Sequence, residues 1–378
     1  MICSLGAYGG PEAHYGVFTD QMVTKKNYLD ERELVELIAL TGILPGPSST
    51  QTITAIGYKI GGPRLAFLTL LVWALPAIVV MTLLSFIYRF LSGLNLDAQV
   101  LKYIGPMAVG FIAVAGYRIG FKVIKNYWTF ALFIGAGVIT YFFRSFWVFP
   151  LVLVLGGLVA VFMSKEKDLW YHVKLNPPWR YFIVFVSLAI GLIILNMFID
   201  NKLLYLFESF YRYGYLVIGG GQVVIPYMYS DLVDVYQYMT TQEFLTGFGV
   251  VQGIPGPMFS FSAYAGGLAS REGTQIYQVA GALIAGVSIF LPGTLLIFFI
   301  YPIWERLKSI KGIKVSLSGI TAVAGGLIAV AAIRLMQSTG FAIDNIIVLG
   351  VTILLLLTKK VPAPFIVLGA IVLGFILT

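Results

Sequence analysis

The feature that most constrains the fold is a series of continuous apolar stretches, each about 20 residues long, which is the length a helix needs to cross a bilayer. The stretches do not alternate between polar and apolar residues, which favours helices over barrel strands. Charged residues make up only 11% of the 378-residue chain, too few to build a water-facing surface. We therefore predict an all-α polytopic protein embedded in a lipid bilayer.

The chain also repeats itself. GILPGP at 42–47 is matched by QGIPGP at 252–257, an offset of 210 residues. The matched pairs at this offset are Gly9 with Gly219, Gly10 with Gly220, Glu33 with Glu243 and Pro45 with Pro255, and at an offset of 216 residues they are Pro76 with Pro292, Gly110 with Gly326 and Arg118 with Arg334. An ordered series of this kind indicates a duplication.

We predict two homologous halves: an N-terminal repeat at 1–163, a linker with one transmembrane helix at 164–202, and a C-terminal repeat at 203–378. Lys165, Lys167, Lys174 and Arg180 predict that the part of the linker before its transmembrane helix is cytoplasmic, because cytoplasmic loops are rich in Lys and Arg. If the Gly-Gly and Pro-Gly-Pro segments are re-entrant, an odd number of full spans separates equivalent points. The second half is then predicted to be inverted in the membrane, with parallel repeats as the alternative.

Each half carries a Pro-Gly-Pro motif inside an apolar stretch, at Pro45-Gly46-Pro47 and Pro255-Gly256-Pro257. Proline breaks a helix and glycine permits a sharp turn, so each motif is predicted to separate two half-helices. Glu33 and Glu243 are predicted to lie in the first turn of the preceding half-helix. Paired broken helices mark the substrate site in inverted-repeat transporters, and a helix start favours an anion.

Hydroxyl side chains follow both breaks, and hydroxyls together with backbone N–H groups are suited to hold a tetrahedral oxyanion. Single Ser and Thr residues in membrane helices are usually caps or packing residues, but two matched breaks favour a site. The predicted substrate-binding residues are Gly10, Pro45, Gly46, Pro47, Ser48, Ser49, Thr50 and Gln51 in the first half, and Gly220, Gly221, Gln222, Pro255, Gly256, Pro257, Ser260 and Ser262 in the second.

Four further residues are candidates for coupling or electrostatic roles. An intramembrane carboxylate is costly and usually has a task such as proton coupling, which favours Glu12. His14 is a candidate because an unperturbed histidine titrates near neutral pH, although a lone histidine is more often simply hydrogen-bonded. Arg118 and Arg334 occupy matching positions near helix ends, where they either snorkel to the interface or attract the anion.

Several other functions are not expected. The net charge of +8 is carried by loop residues and is attributed to membrane topology rather than nucleic-acid binding. One cysteine excludes a CxxC motif, two histidines are too few for a His-rich metal site, and no cofactor is expected. GxxxxGK[ST], HExxH and GxSxG motifs are absent from the sequence, so an enzyme is not expected. GxxxG-like spacings are compatible with a homodimer but are a weak indication in a chain with 41 glycines.

YGGPEAH at 8–14, GILPGPSSTQ at 42–51, GGGQVVIP at 219–226 and QGIPGPMFSF at 252–261 resemble the long, two-domain form of the chromate ion transporter family. The resemblance covers essentially the whole chain. It implies export of chromate across the inner membrane, by ion coupling or exchange, with sulfate as a competing or counter-transported analogue. By match to the family's motifs it implies functional roles for Gly10, Pro11, Pro45, Gly46, Pro47, Ser49, Gln51, Gly220, Gly221, Pro255, Gly256 and Pro257.

This sequence departs from the family's usual pattern at Tyr8, where Phe is more common, and at Ser48, where Asn is more common. These departures bear on the identity of the cargo rather than on the fold. The alternatives are a transporter of sulfate or another small anion, a passive anion channel, and an assembly scaffold. For a transporter, we expect the two Pro-Gly-Pro hairpins to meet near the middle of the bilayer from opposite sides.

Overall fold

The computed structural model describes residues 1–93, 100–143, 148–166, 169–170, 175–218, 221–308 and 310–377. Regular structure in these ranges is helical throughout and includes no strand. The predicted class, an all-α polytopic membrane protein, is confirmed. The α-helices are α1 (Ile2–Gly6), α2 (Pro11–Phe18), α3 (Glu31–Ile43), α4 (Ser48–Gly93), α5 (Ile104–Val123), α6 (Tyr127–Phe142), α7 (Val148–Met163), α8 (Trp179–Phe198), α9 (Lys202–Leu216), α10 (Ile225–Tyr229), α11 (Thr241–Val251), α12 (Phe261–Ala269), α13 (Gln275–Ser288), α14 (Leu291–Ile300), α15 (Trp304–Leu307), α16 (Lys311–Thr339), α17 (Ile343–Thr358) and α18 (Ala363–Ile376).

Short segments of other helix types join these helices. They are the 3₁₀ turns Gly221–Val224, Met258–Ser260 and Tyr301–Ile303, and the π-helical segments Thr19–Lys25 and Ser230–Val235. The two π-helical segments follow α2 and α10 and occupy nearly equivalent positions in the two halves. Asn27 and Gln237, which are equivalent at the offset of 210, follow them with positive φ angles of 50° and 51°. The duplication is therefore visible even in irregular backbone.

Five stretches among the described residues are long and apolar enough to cross a membrane: Ser48–Ser92, Ile104–Val123, Trp179–Phe198, Gln275–Leu307 and Lys311–Thr339. Helices α6, α7, α17 and α18 are apolar but have only 14 to 16 residues. They extend about 21–24 Å, less than the ~30 Å hydrocarbon core. The number of membrane crossings therefore does not follow from helix length alone. Inversion of the second half stays a prediction.

Two long spans are interrupted. Helix α4 bends at Gly61 and Gly62, where the backbone is not helical. The apolar stretch that begins at Gln275 is divided into α13 and α14. Pro292 explains that division, because it has no N–H to donate to the carbonyl four residues earlier.

The two halves pack through matched contacts. The equivalent helices α5 and α16 lie against each other. Gly110 of α5 packs against the carbonyl of Leu349 in α17, and its equivalent Gly326 packs against the carbonyl of Phe133 in α6. Phe133 and Leu349 are themselves equivalent at the offset of 216. The same contact therefore occurs twice, once with the glycine in the first half and once with the glycine in the second. This is the pattern expected of two surfaces related by a two-fold axis.

The half-helices that precede the Pro-Gly-Pro motifs begin with the same cap. In α3, Asp30 accepts a hydrogen bond from the Glu33 N–H at 2.7 Å and Glu33 accepts one from the Asp30 N–H at 2.9 Å. Thr240 and Glu243 form the equivalent capping box in α11. A hydrogen bond from Lys59 lowers the pKa of the Glu33 carboxyl. The predicted place of both glutamates, in the first turn of a half-helix, is confirmed.

Candidate functional site

Both Pro-Gly-Pro motifs form sharp turns between helices. The first separates α3 from α4, and the second separates α11 from the 3₁₀ turn that leads into α12. Gly46 and Gly256 have φ angles of +133° and +110°. Residues with a side chain rarely adopt this backbone conformation, so both turns depend on glycine.

Each turn is hydrogen-bonded to the opposite half of the protein. The Gly46 N–H donates to the Val217 carbonyl at 2.7 Å, and the Gly256 N–H donates to the Ala7 carbonyl at 2.9 Å. Ala7 and Val217 are equivalent at the offset of 210, and each lies just before the glycine run of its half. The two bonds are therefore a reciprocal pair that joins each turn to the other half's glycine run.

Each turn also packs against a proline-containing helix of the opposite half. A Cβ atom at Gly46 would lie 3.0 Å from the Cα of Gly293, and one at Gly256 would lie 2.9 Å from the Cβ of Ala77. Ala77 and Gly293 directly follow the two equivalent membrane prolines. The turns are thus held in close packing as well as by hydrogen bonds, and a methyl group at either glycine would disturb the contact between the halves.

Polar side chains after the first turn contact two neighbouring segments. The Ser49 Oγ lies 2.9 Å from the His14 Nδ1 in α2, and the Thr50 Oγ1 accepts a hydrogen bond from the Trp73 Nε1 at 3.1 Å. The rings of Trp73 and His14 pack edge to face with centroids 5.2 Å apart. All four side chains are buried. With Gln51 they form what we term the polar cluster, which consists of His14, Ser49, Thr50, Gln51 and Trp73.

Trp73 connects the polar cluster to both halves, a role that the sequence analysis did not assign. Its ring contacts the first turn through Thr50, and its carbonyl accepts a hydrogen bond from the Ser4 hydroxyl at 2.8 Å. The same carbonyl lies beside Gly256 of the second turn. Its equivalent in the second half is Ile289, which has no hydrogen-bonding side chain. The sequence feature that could have pointed to this role is a tryptophan three residues before Pro76, within an apolar stretch.

Gln51 directs its donor group toward the backbone. Its Nε2 donates to the Pro45 carbonyl at 2.7 Å and to the Gly293 carbonyl at 3.3 Å. These two acceptors fix the orientation of the amide, because the opposite orientation would place oxygen against oxygen. The buried Oε1 has no hydrogen-bond partner in the described part of the chain. Gln51 therefore ties the first turn to α14, and its remaining free group is an acceptor.

Hydrogen-bond donors remain available at the start of α4. Gln51 makes the first intrahelical bond, to the Pro47 carbonyl at 2.8 Å, so the N–H groups of the preceding three residues have no partner within the helix. The buried Nε2 of His14 also lacks a partner among the residues described. If the Ser49 hydroxyl donates to Nδ1, the neutral ring carries its proton on Nε2 and offers a donor there.

The second turn is followed by different chemistry. Its residues are Met258, Phe259, Ser260 and Phe261, at the positions equivalent to Ser48, Ser49, Thr50 and Gln51. The Ser260 side chain is fully buried, and its Oγ has no partner within the described ranges. The Ser262 hydroxyl donates to the Phe259 carbonyl at 2.6 Å, within the same turn of chain. Of the predicted residues here, only Ser260 offers an uncommitted side-chain group.

The predicted residues of the glycine runs are placed close to helix starts. Gly10 has a φ of +98° and precedes Pro11, the first residue of α2, and Glu12 lies in the first turn of that helix. Gly221 and Gln222 lie in the 3₁₀ turn before α10. Gly220 is outside the described residues. The first glycine run therefore sets the start of the helix that carries His14 to the first turn.

Arg118 and Arg334 contact helix ends in the opposite half. Arg118 donates to the Leu356 carbonyl in α17 at 2.9 Å, and Arg334 donates to the Tyr141 carbonyl in α6. Both carbonyls belong to the last turns of equivalent helices, where the helix dipole favours a cation. The structure thus accounts for both arginines by reciprocal contacts at helix C-termini.

A buried group of charged residues was not identified from the sequence. Arg212 is paired with Glu208 at 2.7 Å and with Asp231 at 3.2 Å, and the Tyr213 hydroxyl donates to Asp231 at 3.0 Å. We term Glu208, Arg212 and Asp231 the charged cluster. The i,i+4 spacing of Glu208 and Arg212 was the available signal, but α9 itself was not predicted. The burial of Asp231 could not be read from its position in a polar segment.

The donors around the first turn suit an anion better than a metal ion. They are N–H groups, hydroxyls and an imidazole, all neutral. The described residues contain no group of three or more His, Cys, Asp or Glu side chains placed to hold a metal. The chemistry that this region offers is therefore hydrogen bonding to an anion's oxygen atoms.

Comparison with known proteins identifies the family. A family described as chromate transporter matches residues 1–162 and 204–375. The chain belongs to this chromate transporter family. The chain is 26% identical to an uncharacterized transporter from Methanocaldococcus jannaschii (98% of this chain, 91% of the relative), to a probable chromate transport protein from Synechococcus elongatus (98% and 93%), and to a chromate transport protein from Cupriavidus metallidurans (98% and 89%). No solved structure matches it.

Family membership explains why the chain has several long apolar helices. This chromate transporter family member is a multi-pass membrane protein, and its family is one of transporters rather than enzymes. The interval between the two matched segments contains α8, which packs on α9 and α14 and is otherwise largely exposed. The reciprocal turn contacts join the two matched segments to each other.

Proposed function

We propose that the protein exports chromate, or another small tetrahedral oxyanion, from the cytoplasm across the plasma membrane. The observation that carries this proposal is the meeting of the first turn, the second half's Val217 and the buried donors of the polar cluster. Relatives that match nearly the whole chain are named as chromate transport proteins, which supports chromate as the cargo. Sulfate has the same charge and tetrahedral shape, so we expect it to compete.

The anion would be held by neutral donors of the first half. The unpaired N–H groups at the start of α4 and the positive end of its dipole favour a negative charge. The Thr50 hydroxyl accepts from Trp73, which leaves its own hydrogen free to donate, and the His14 Nε2 adds a second side-chain donor. A site of neutral donors binds an anion without leaving a buried positive charge when the site is empty.

The reciprocal bonds suggest how access would alternate. In this proposal, residues 1–163 and 203–378 are the two moving repeats, inverted relative to each other, and 164–202 links them. Rocking of one repeat against the other would open the Gly46–Val217 contact on one side of the anion and the Gly256–Ala7 contact on the other. Transport would be coupled to an ion or proceed by exchange.

The test is chromate uptake into inside-out membrane vesicles, with and without sulfate. The native protein should give saturable uptake that sulfate inhibits. Ser49→Ala should reduce uptake at least about 10-fold, because it removes the hydroxyl that orients His14. Ser288→Ala is the matched control, since that buried hydroxyl bonds only to its own helix. No uptake by folded protein would exclude chromate as cargo, and uptake that does not saturate would indicate a channel.

A further inference from the structure

The charged cluster contains two carboxylates and one guanidinium. Arg212 makes two hydrogen bonds to Glu208, at 2.7 and 3.3 Å, and a third to Asp231 at 3.2 Å. Within the described ranges, no other Lys or Arg lies at salt-bridge distance from either carboxylate. With both carboxylates ionised, the cluster therefore carries one excess negative charge.

This excess charge lies inside the protein. The exposed fraction of the side chain is 3% for Asp231, 11% for Glu208 and 12% for Arg212. An uncompensated buried charge is costly, and such a group lowers the cost by binding a counter-charge. A single proton would make the cluster neutral while leaving the Arg212–Glu208 pair intact.

One atom is placed to receive that proton. Both side-chain hydrogen bonds to Asp231, from Arg212 and from the Tyr213 hydroxyl, end on Oδ2. Oδ1 receives none from the residues that the structure describes. Tyr213, Tyr215 and Tyr236 interact electrostatically with the cluster, and the Tyr227 ring centroid lies 5.2 Å from the Arg212 guanidinium carbon. Phenols stay protonated near neutral pH. Asp231, with one oxygen that accepts no side-chain hydrogen bond among the described residues, is therefore the group that we expect to take up the proton.

We propose that the charged cluster is a proton-binding site, in which Asp231 exchanges one proton with the aqueous phase and thereby couples anion transport to a pH gradient. The coupling role rests on the proposed function, whereas proton binding by Asp231 does not. The site differs from Glu12 and His14, the residues that the sequence suggested for coupling.

The position of the cluster connects it to the first turn. The Arg212–Asp231 ion pair ties α9, which ends just before Val217, to the π-helical segment Ser230–Val235. Val217 follows Arg212 by five residues, about 7.5 Å along a helix, and accepts the hydrogen bond from Gly46. Protonation of Asp231 replaces the ion pair by a weaker hydrogen bond and loosens the attachment of α9, whose end carries Val217.

The first half has no equivalent of the ion pair between Arg212 and Asp231. Ile2 and Gln21 occupy the positions equivalent to Arg212 and Asp231. Asp231 lies in the π-helical segment Ser230–Val235, and π-helical segments are frequent at functional sites. In the matching segment of the first half, Asp20 is half exposed and paired with Lys25 at 2.7 Å. Proton binding would therefore act on the contact between Gly46 and Val217 and not on its reciprocal partner.

The first experiment is pH-difference infrared spectroscopy of the purified full-length protein, which detects the C=O stretch of a carboxyl group as it gains a proton. We expect a titrating carboxyl band in the native protein that is lost in Asp231→Asn and kept in Asp20→Asn, the matched exposed control. This measurement needs no anion, so it stands even if chromate is the wrong cargo. A band that persists in Asp231→Asn would overturn the proposal.

The second experiment compares two transport modes in proteoliposomes. For Asp231→Asn, we expect chromate accumulation driven by an imposed pH gradient to fall at least about 10-fold, while chromate–chromate exchange stays within about 2-fold of the native rate. Asp231→Glu should restore part of the gradient-driven mode. Gradient-driven accumulation that survives in Asp231→Asn, or a sodium gradient that replaces the pH gradient, would overturn the coupling role. Loss of both modes without rescue by Asp231→Glu would show a structural role and also overturn it.

Discussion

The two Pro-Gly-Pro turns have the same backbone arrangement and different side chains. Both glycines have positive φ angles, and both donate to equivalent carbonyls of the opposite half. Polar residues follow the first turn and contact His14 and Trp73, whereas Met and Phe residues dominate after the second. The comparison teaches that the backbone contact between the halves was kept after duplication, while side-chain donors became concentrated in one half.

The ionisable groups show the opposite distribution. The charged cluster belongs entirely to the second half, and Ile2 and Gln21, the first-half equivalents of Arg212 and Asp231, are uncharged. The duplicated halves have therefore diverged into one that offers neutral donors and one that holds buried charge. Four sets of substitutions would break or sharpen this comparison.

The largest effect is expected from Trp73→Ala, because Trp73 contacts both turns. Loss of a buried tryptophan costs about 3–5 kcal/mol, and we expect a correspondingly lower melting temperature in detergent and loss of chromate uptake. Trp73→Phe keeps most of the ring and removes only the hydrogen bond to Thr50, at a cost of about 1 kcal/mol. Native-like melting of Trp73→Ala would show that the turns do not depend on this residue.

His14→Ala tests the claim that the donors lie in the first half. A hydrogen bond to a charged group contributes about 1.5–3 kcal/mol, so chromate should bind about 10- to 150-fold more weakly, as measured by equilibrium dialysis. Ser260→Ala, at the second turn, should have a smaller effect, about 2- to 10-fold, because it removes a single hydroxyl. Equal losses in the two variants would contradict the asymmetry between the turns.

Gly46→Ala and Gly256→Ala test the shared backbone. Each places a methyl group at a positive φ and against the opposite half, so each should destabilise the protein by about 1–3 kcal/mol and by similar amounts. Gly135→Ala is the control, because a Cβ there meets no atom within 4 Å and alanine favours the helix. The measurement is the melting temperature of the three variants. A large difference between the melting temperatures of Gly46→Ala and Gly256→Ala would mean that only one turn holds the halves together.

Asp30→Ala and Thr240→Ala should have the smallest effects. Each removes the cap of the half-helix that precedes a turn, which costs about 1 kcal/mol. Thermal unfolding should register two similar, small losses. A much larger loss in one variant would indicate that the two half-helices, although capped in the same way, contribute unequally to stability.

The sequence predicted the features that follow from composition and backbone chemistry. Continuous apolar stretches require helices, and Pro and Gly at Pro45 and Gly46 require a break, so the fold class and the turns were predictable. The start of α3 near Glu33 was also predictable, because a capping box is a local pattern. The matched positions of the two halves followed from the repeat itself.

Side-chain partners that are distant in the chain were not predictable. Gln51 was expected to bind the anion, but its donor group lies on the Gly293 carbonyl, 242 residues away. Arg118 fitted either an interface or a ligand until its contact with the end of α17 was known. Trp73 and Asp231 resembled ordinary membrane and loop residues, because the burial that gives them a role depends on the packing of several helices.

The reciprocal hydrogen bonds also constrain how the protein is made. When synthesis reaches the end of the first half, the N–H of Gly46 and the carbonyl of Ala7 have no partners, because Val217 and Gly256 have not yet been translated. Within the first half, the N-terminal segment is already held by the Ser4–Trp73 and His14–Ser49 contacts, but the Ala7 carbonyl gains its partner only after Gly256 has been translated. A nascent chain halted in the linker therefore lacks both hydrogen bonds that join the halves.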